Sequence, residues 1–169
     1  MKQLFIWRLK IEKPEIIKIG LDTMVMDNDD AEKREGVEPT YKKVKGFQPL
    51  QIFWGRYIID ALFRDGKTHS NHGNDVRLVI TDLVRLVRKH YDTDVPIIFI
   101  ADTGFFDEDL LHLGEELGVG IVVGGKMYQD IKNHIGSLSE DYFSEFWKKR
   151  KSWKYMEFQD QRQKWEKAW

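Results

Sequence analysis

The apolar residues of this chain recur in more than one rhythm, and each rhythm predicts a different element. Residues Ile16 to Met26 ("IIKIGLDTMVM") form a β-branched apolar run broken by Asp22, which predicts a buried strand carrying a carboxylate in its second half. The stretch "DNDDAEKREGVEPTYKKVKG" is polar, mixed in charge and punctuated by Gly36, Pro39 and Gly46, and reads as a long exposed loop. Two apolar stretches separated near Gly55 in "FQPLQIFWGRYIIDALFRDG" predict a hairpin ending at the turn "RDG". Asn74 or Asp75 then caps a helix reaching about Tyr91, because Val76, Val79, Ile80, Leu83, Leu86 and Val87 return at helical spacing. "VPIIFIA" predicts a buried strand, "FDEDLLHLGEEL" a helix closed by Gly118, and "VGIVVGG" a further strand.

Strand, strand, strand, helix, strand, helix, strand is the element order of a ribonuclease-H-like α/β domain. Its mixed sheet has three antiparallel strands and then parallel strands alternating with helices, with the first and fourth strands side by side at the centre. The rest of the chain reads as a helical, Trp- and Lys-rich C-terminal segment. Residues 1–136 are thus expected to form a partial ribonuclease-H-like domain, and 137–169 an aromatic and basic, truncated part of the same domain.

Length and composition narrow this picture. A chain of 169 residues that is 41% hydrophobic buries one core. No apolar stretch approaches the roughly 20 residues of a membrane span, and "MKQLFIWRLKIEK" has charges inside its apolar run, unlike a signal peptide. A soluble cytoplasmic protein follows as the expectation. With no cysteine, disulfides and thiolate chemistry are excluded, leaving His, Asp, Glu and backbone groups as possible metal ligands, so that any metal is expected to be held mainly by oxygen.

The net charge of −1 conceals an asymmetry. Between Trp147 and Trp169 there are eight Lys or Arg against three acids, which makes that segment +5 and leaves −6 on the remainder. Lys148, Lys149, Arg150, Lys151 and Lys154 lie among Trp147, Trp153 and Tyr155, a mixture suited to DNA phosphates and bases. A solvated helix with its aromatics turned to a core fits the same pattern.

Two carboxylates carry the candidate chemistry. Asp22 lies on the first predicted strand, and Asp102 ends the fourth in "IADTGFFDED". In the ribonuclease-H-like order these strands are neighbours, so acids far apart in sequence meet. Such a pair suits two divalent ions about 3.5 to 4 Å apart, the arrangement that activates a water or 3′-hydroxyl in phosphodiester cleavage. Each acid alone also fits a cap or turn. Other candidates are weaker. "DNDDAEKREGVE" fails as a calcium loop, with Ala31 at its fifth position and Glu32 where Gly is required. His69, His72 and Asp75 in "HSNHGND" read as a turn rather than a zinc site, and "GVGIVVGG" lacks a phosphate-loop signature.

Four ordered blocks, "IGLDTMVM", "YKKVKGFQPLQ", "FRDGKTHSN" and "IADTGFFDEDLL", resemble the DDE transposases of bacterial insertion sequences. Asp22 with Thr23, Tyr41 with Gly46 to Leu50, Arg64 with Gly66 and His69, and Asp102 with Gly104 and Phe105 match positions of that family. The resemblance implies a ribonuclease-H-like catalytic domain that cuts and joins DNA with Mg²⁺, or Mn²⁺ as a substitute. It implies Asp22 and Asp102 as catalytic metal ligands. Transposon ends and target DNA are the implied partners, with no small-molecule substrate, in a bacterial cytoplasm close to the nucleoid.

The departures are as specific as the matches. Asp65 and Lys67 stand where the family has Pro and Asn. None of Glu140, Glu145, Glu157 and Glu166 has the family's context for the third acid, so none is assigned. The 67 residues after Asp102 are fewer than the family uses to reach that acid, and the 21 before Asp22 are too few for its N-terminal DNA-binding domain. A catalytic-domain fragment with little activity of its own is expected, with sheet surface left uncovered and self-association as a consequence.

Overall fold

The computed structural model of the chain describes residues 1–30, 34–68 and 74–169. It falls into two units, Met1–Gly125 and Lys126–Trp169, each taken here by itself. Ala31 and Glu32 of the rejected calcium loop, and His69 and His72, lie outside the described residues.

In the first unit, α1 (Lys2–Glu12) precedes β1 (Ile17–Thr23), and three short strands follow, β2 (Met26–Asp27), β3 (Glu38–Pro39) and β4 (Lys45–Phe47). A hairpin of β5 (Leu50–Trp54) and β6 (Tyr57–Leu62) leads to α2 (Asp75–His90), β7 (Ile97–Ala101), α3 (Glu108–Leu117) and β8 (Gly120–Val123). The main sheet has the order β6-β5-β1-β7-β8. β6, β5 and β1 run antiparallel, while β1, β7 and β8 run parallel. This is the ribonuclease-H-like arrangement, with the first and fourth long strands paired at the centre.

One face of that sheet carries the core. Ile17, Ile19 and Leu21 of β1 alternate with exposed or half-buried residues, and Leu50, Ile52, Ile97 and Phe99 do the same on neighbouring strands. Val76, Ile80, Leu83, Val84 and Val87 form the buried stripe of α2, and Leu110 and Leu113 that of α3. Gly114 lets α3 approach β8 closely, since a Cβ there would strike the Ile121 side chain. The opposite face leaves Ile58, Ile100 and Val122 exposed at 45%, 41% and 55%.

Helix α1 has no counterpart among the elements predicted from sequence. Leu4, Trp7 and Ile11 are exposed on it while Phe5, Ile6 and Leu9 are buried, so apolar residues surround the helix and blur its period. It is joined to the hairpin by Phe5 edge-on to Trp54 (5.5 Å between centroids), Arg8 over the Tyr57 ring (3.9 Å) and the Lys2–Asp60 ion pair at 3.0 Å.

The polar stretch after β1, expected as a loop, holds a three-stranded sheet of order β2-β4-β3. Its strands are only two or three residues long, too short to show alternation in sequence. Residues matched to the second and third family blocks are joined to one another beside this sheet, where Phe47 of β4 bridges to Asp65. Arg64 Nε donates to the Gln48 carbonyl (3.1 Å), Gln48 Nε2 donates to the Gly66 carbonyl (2.5 Å), and the Gln48 amide donates to the Arg64 carbonyl (3.1 Å). Burial holds the Arg64 guanidinium below its ordinary pKa, against the opposing pull of Asp75 and Asp65. A side chain at Gly66 would collide with the Glu38 and Gly46 carbonyl oxygens, and one at Gly46 with that of Met26.

In the second unit, α4 (Gln129–Ser137) is followed by an antiparallel hairpin of β9 (Ser144–Lys148) and β10 (Lys151–Tyr155). This corrects the helix expected for the Trp- and Lys-rich segment. Aromatic residues favour a pleated strand, and Phe146 and Trp153 are direct cross-strand partners (6.1 Å between centroids) that stabilise the hairpin. Nor do the aromatics of the hairpin face a core, since both strands are exposed throughout, whereas Trp165 and Trp169 beyond it are half-buried. Beyond the hairpin, Arg162 joins Asp130 (3.1 Å) and Asp160, and its guanidinium lies over Tyr128 at 4.6 Å.

Candidate active site

The register of β1 against β7 decides where the two acids stand. Ile17, Ile19 and Leu21 pair with Ile97, Phe99 and Ala101, and the residues following the last pair are Asp22 and Asp102. Asp102 keeps an extended backbone (φ −80°, ψ −179°), so it continues the strand direction. Side chains alternate across a strand, so with Leu21 turned to the core, Asp22 and Asp102 share the opposite face at the carboxyl ends of two parallel strands. Ligands of open α/β sheets bind in the crevice outside such strand ends.

Each acid is fixed by its own backbone. Asp22 Oδ1 accepts from the Thr23 amide at 2.7 Å. Asp102 Oδ1 accepts from the Gly104 amide at 2.9 Å and caps the short 3₁₀ turn Thr103–Phe105, whose Phe105 is fully buried. The cap and the strand-end position therefore coexist in Asp102. One carboxylate oxygen orients the side chain, and Oδ2 of each acid accepts no hydrogen bond from the described residues. Both side chains are exposed. This donor set of oxygens on rigid strands suits a hard divalent cation. Among the described residues, no group of three or more His, Asp or Glu is gathered.

Gln51 escaped the sequence reading. It is the direct partner of Asp22 in the antiparallel β1–β5 pair and so shares the face of the acids. The alternation of "LQI", with Leu50 and Ile52 wholly buried, is the signal that turns it outward.

The five basic residues singled out in the C-terminal segment lie on the hairpin of the second unit. Lys148 and Lys151 are register partners, and Lys149 and Arg150 form the two-residue turn between them, both at positive φ (49° and 65°). These four are exposed and make no ion pair among the described residues. Lys154 differs, because it is paired with Glu140. Trp147 and Trp153 flank the turn at 64% and 48% exposure.

Comparisons with known proteins bear on the whole chain. No curated protein matches it. Among solved structures it is similar to the catalytic domain of Mos1 mariner transposase (TM-score 0.47, 11% identity, 79% of this chain and 65% of that one). It is also similar to the Mos1 mariner paired-end complex with Mn (0.45, 10%, 80% and 46%) and to piggyBac transposase in a synaptic complex with hairpin DNA (0.43, 13%, 78% and 28%). The chain thus spans less than two thirds of the length of each of these structures. The model of the family Transposase DDE domain group 1 matches residues 11–169, nearly the full length, and the chain belongs to that family.

Proposed function

We propose that this chain is a catalytic-domain piece of an insertion-sequence DDE transposase, in which Asp22 and Asp102 hold divalent metal for cleavage and joining of DNA. The observation that supports it is the shared register position of the two acids at the ends of adjacent parallel strands, in a chain of this family. A bound Mg²⁺ or Mn²⁺ supplies Lewis-acid stabilisation of a phosphodiester oxygen and lowers the pKa of a coordinated water or 3′-hydroxyl. The chain's own contribution is orientation. The Thr23 and Gly104 amides fix one oxygen of each acid, and the buried strands beneath them prevent either from turning away.

The hairpin tip is the proposed DNA contact. Lys148, Lys149, Arg150 and Lys151 concentrate four cations in one turn, a pattern that neutralises phosphates without reading sequence. Lys154, held by Glu140, is a weaker contact. The bacterial, nucleoid-associated location and the DNA partners of the insertion-sequence reading belong to this proposal. So does self-association through the open sheet face around Ile58, Ile100 and Val122.

With two acids assigned, the isolated chain should bind metal weakly and perform little or no strand transfer. The test is nicking of supercoiled plasmid in Mn²⁺. Slow nicking lost in Asp22→Asn and Asp102→Asn supports the catalytic reading. DNA binding without metal-dependent nicking would instead favour a non-catalytic remnant that binds DNA or dimerises, a reading that the exposed basic hairpin supports by itself.

A further inference from the structure

Gln51, Asp22 and Asp102 form one row across three adjacent strands. Gln51 and Asp22 are direct partners on β5 and β1, and Asp102 follows the Leu21–Ala101 pair on β7. Direct antiparallel partners hold their Cβ atoms about 4.5–5.5 Å apart, within reach of a shared ion for a side chain as long as glutamine. The row ends in small residues on both sides. Ala61 pairs with Gln51 on β6, and Gly124 follows Val123, the partner of Ala101, on β8.

The phase of β5 is locked. A one-residue slip would turn Gln51 into the core and bring out Leu50 and Ile52, both 0% exposed. Yet the carboxamide of Gln51 has almost nothing to do in the protein. Among the described residues its one polar contact is Nε2 to Met24 Sδ at 3.9 Å, a weak acceptor, and Oε1 accepts no hydrogen bond. Beside it, Oδ2 of Asp22 and Oδ2 of Asp102 accept none either.

We propose that Gln51 Oε1 is a neutral third oxygen ligand of the ion held by Asp22 and Asp102. The proposal rests on the reading that these acids bind metal. Hard divalent cations accept glutamine carbonyl oxygens alongside carboxylates. Two carboxylates already balance the charge of a divalent ion, so an amide adds a ligand without excess negative charge. Asp22 and Gln51 lie within the β1–β5 ladder, and the Asp102 carbonyl accepts from the Phe105 amide (3.1 Å), so side chains are the readier donors of this row. A bystander glutamine would serve equally well as alanine or serine, whereas a ligand would not.

The test is Mn²⁺ titration of the full chain by electron paramagnetic resonance, with Mg²⁺ competition, on the wild type, Gln51→Ala, Gln51→Glu, Asp22→Asn and Asp102→Asn. Melting temperatures without metal check that each variant folds. Expected are loss of binding in both Asn variants, weakening of about tenfold in Gln51→Ala, and tightening of at least about tenfold in Gln51→Glu, which adds a carboxylate to the row. In the ¹⁵N-labelled wild type, Mg²⁺ should also shift the Gln51 side-chain amide resonance. Unchanged affinity in Gln51→Ala, with binding lost in Asp22→Asn, overturns the assignment of Gln51 and leaves the acid pair standing. Mn²⁺ affinity indifferent to both Asn substitutions overturns the acid-pair reading and the Gln51 ligand together.

Discussion

Leu21 of β1 and Ala101 of β7 are partners in a parallel ladder, so the residues that follow them, Asp22 and Asp102, emerge side by side on the face opposite the core. They are 80 positions apart in sequence. Hydrogen bonds along the two central strands hold them together, and no salt bridge or disulfide is needed. Moving either strand by one residue would send its acid into the apolar core, which is why the register is well determined.

The caps allow metal binding and stability to be separated at Asp102. In Asp102→Asn the amide oxygen still accepts from Gly104, so the fold should be retained while Mn²⁺ binding falls. In Asp102→Ala the cap is lost as well, which should cost about 1 kcal/mol. Thermal melts alongside Mn²⁺ titrations check both. Equal melting temperatures for wild type and Asp102→Ala would mean that the cap contributes nothing.

At the hairpin, charge can be removed while the turn is favoured. Lys149 and Arg150 occupy the left-handed region, where non-glycine residues are strained by about 1–2 kcal/mol each. The double substitution Lys149→Asn with Arg150→Gly suits the turn better and removes two cations. The slope of log affinity for duplex DNA against log salt should fall by about 1.8. Anisotropy titrations at several salt concentrations measure it. Lys154→Ala, which breaks a pair with Glu140, should change the slope less.

Gly66 tests the small sheet. A Cβ there meets backbone oxygens of Glu38 and Gly46, which cannot swing aside as a side chain would. Gly66→Ala should therefore destabilise the protein by at least about 2 kcal/mol and open the segment around β2, β3 and β4 to protease. Gly55, where an added Cβ meets nothing within 4 Å, is the contrasting position, although its positive φ adds some strain of its own. Urea denaturation and limited proteolysis of both alanine variants give the comparison.

The core prediction is the largest. Phe99 lies 1% exposed on the central strand β7 beneath the candidate site, so Phe99→Ala should cost about 3–5 kcal/mol. Ile100, its neighbour on the open face at 41% exposure, should tolerate serine with little loss of stability. If the open face mediates self-association, Ile100→Ser combined with Val122→Ser should lower the sedimentation coefficient at high protein concentration.

Much of this was legible from local pattern. Alternation in "IIKIGLDT" and "VPIIFIA", helical spacing between Val76 and Val87, and Gly118 as a helix end each act within a few residues, and β1, β7, α2 and α3 form where those patterns lie. Element order then matched that of a ribonuclease-H-like domain, in which the first and fourth strands are neighbours. Asp22 and Asp102 could be named together for that reason.

Other features depended on partners distant in sequence. The basic segment "FWKKRKSWKY" is compatible with helix or strand by composition, and pairing of Phe146 with Trp153 across a left-handed turn decides for a hairpin. Strands β2, β3 and β4 are too short to stand alone and form by pairing across residues distant in sequence, Met26 with Phe47 and Glu38 with Gly46, with Phe47 bridged in turn to Asp65. Gln51 gives no signal of function in its own neighbourhood, and only the β1–β5 register sets it beside Asp22. The sequence by itself determined which faces are apolar, that Asp22 lies in the second half of its strand and that Asp102 follows the end of its own, since those follow from side-chain period and local turns. Which residues share a row with those acids was decided by tertiary structure, because register arises from the fit of whole strands to a common core.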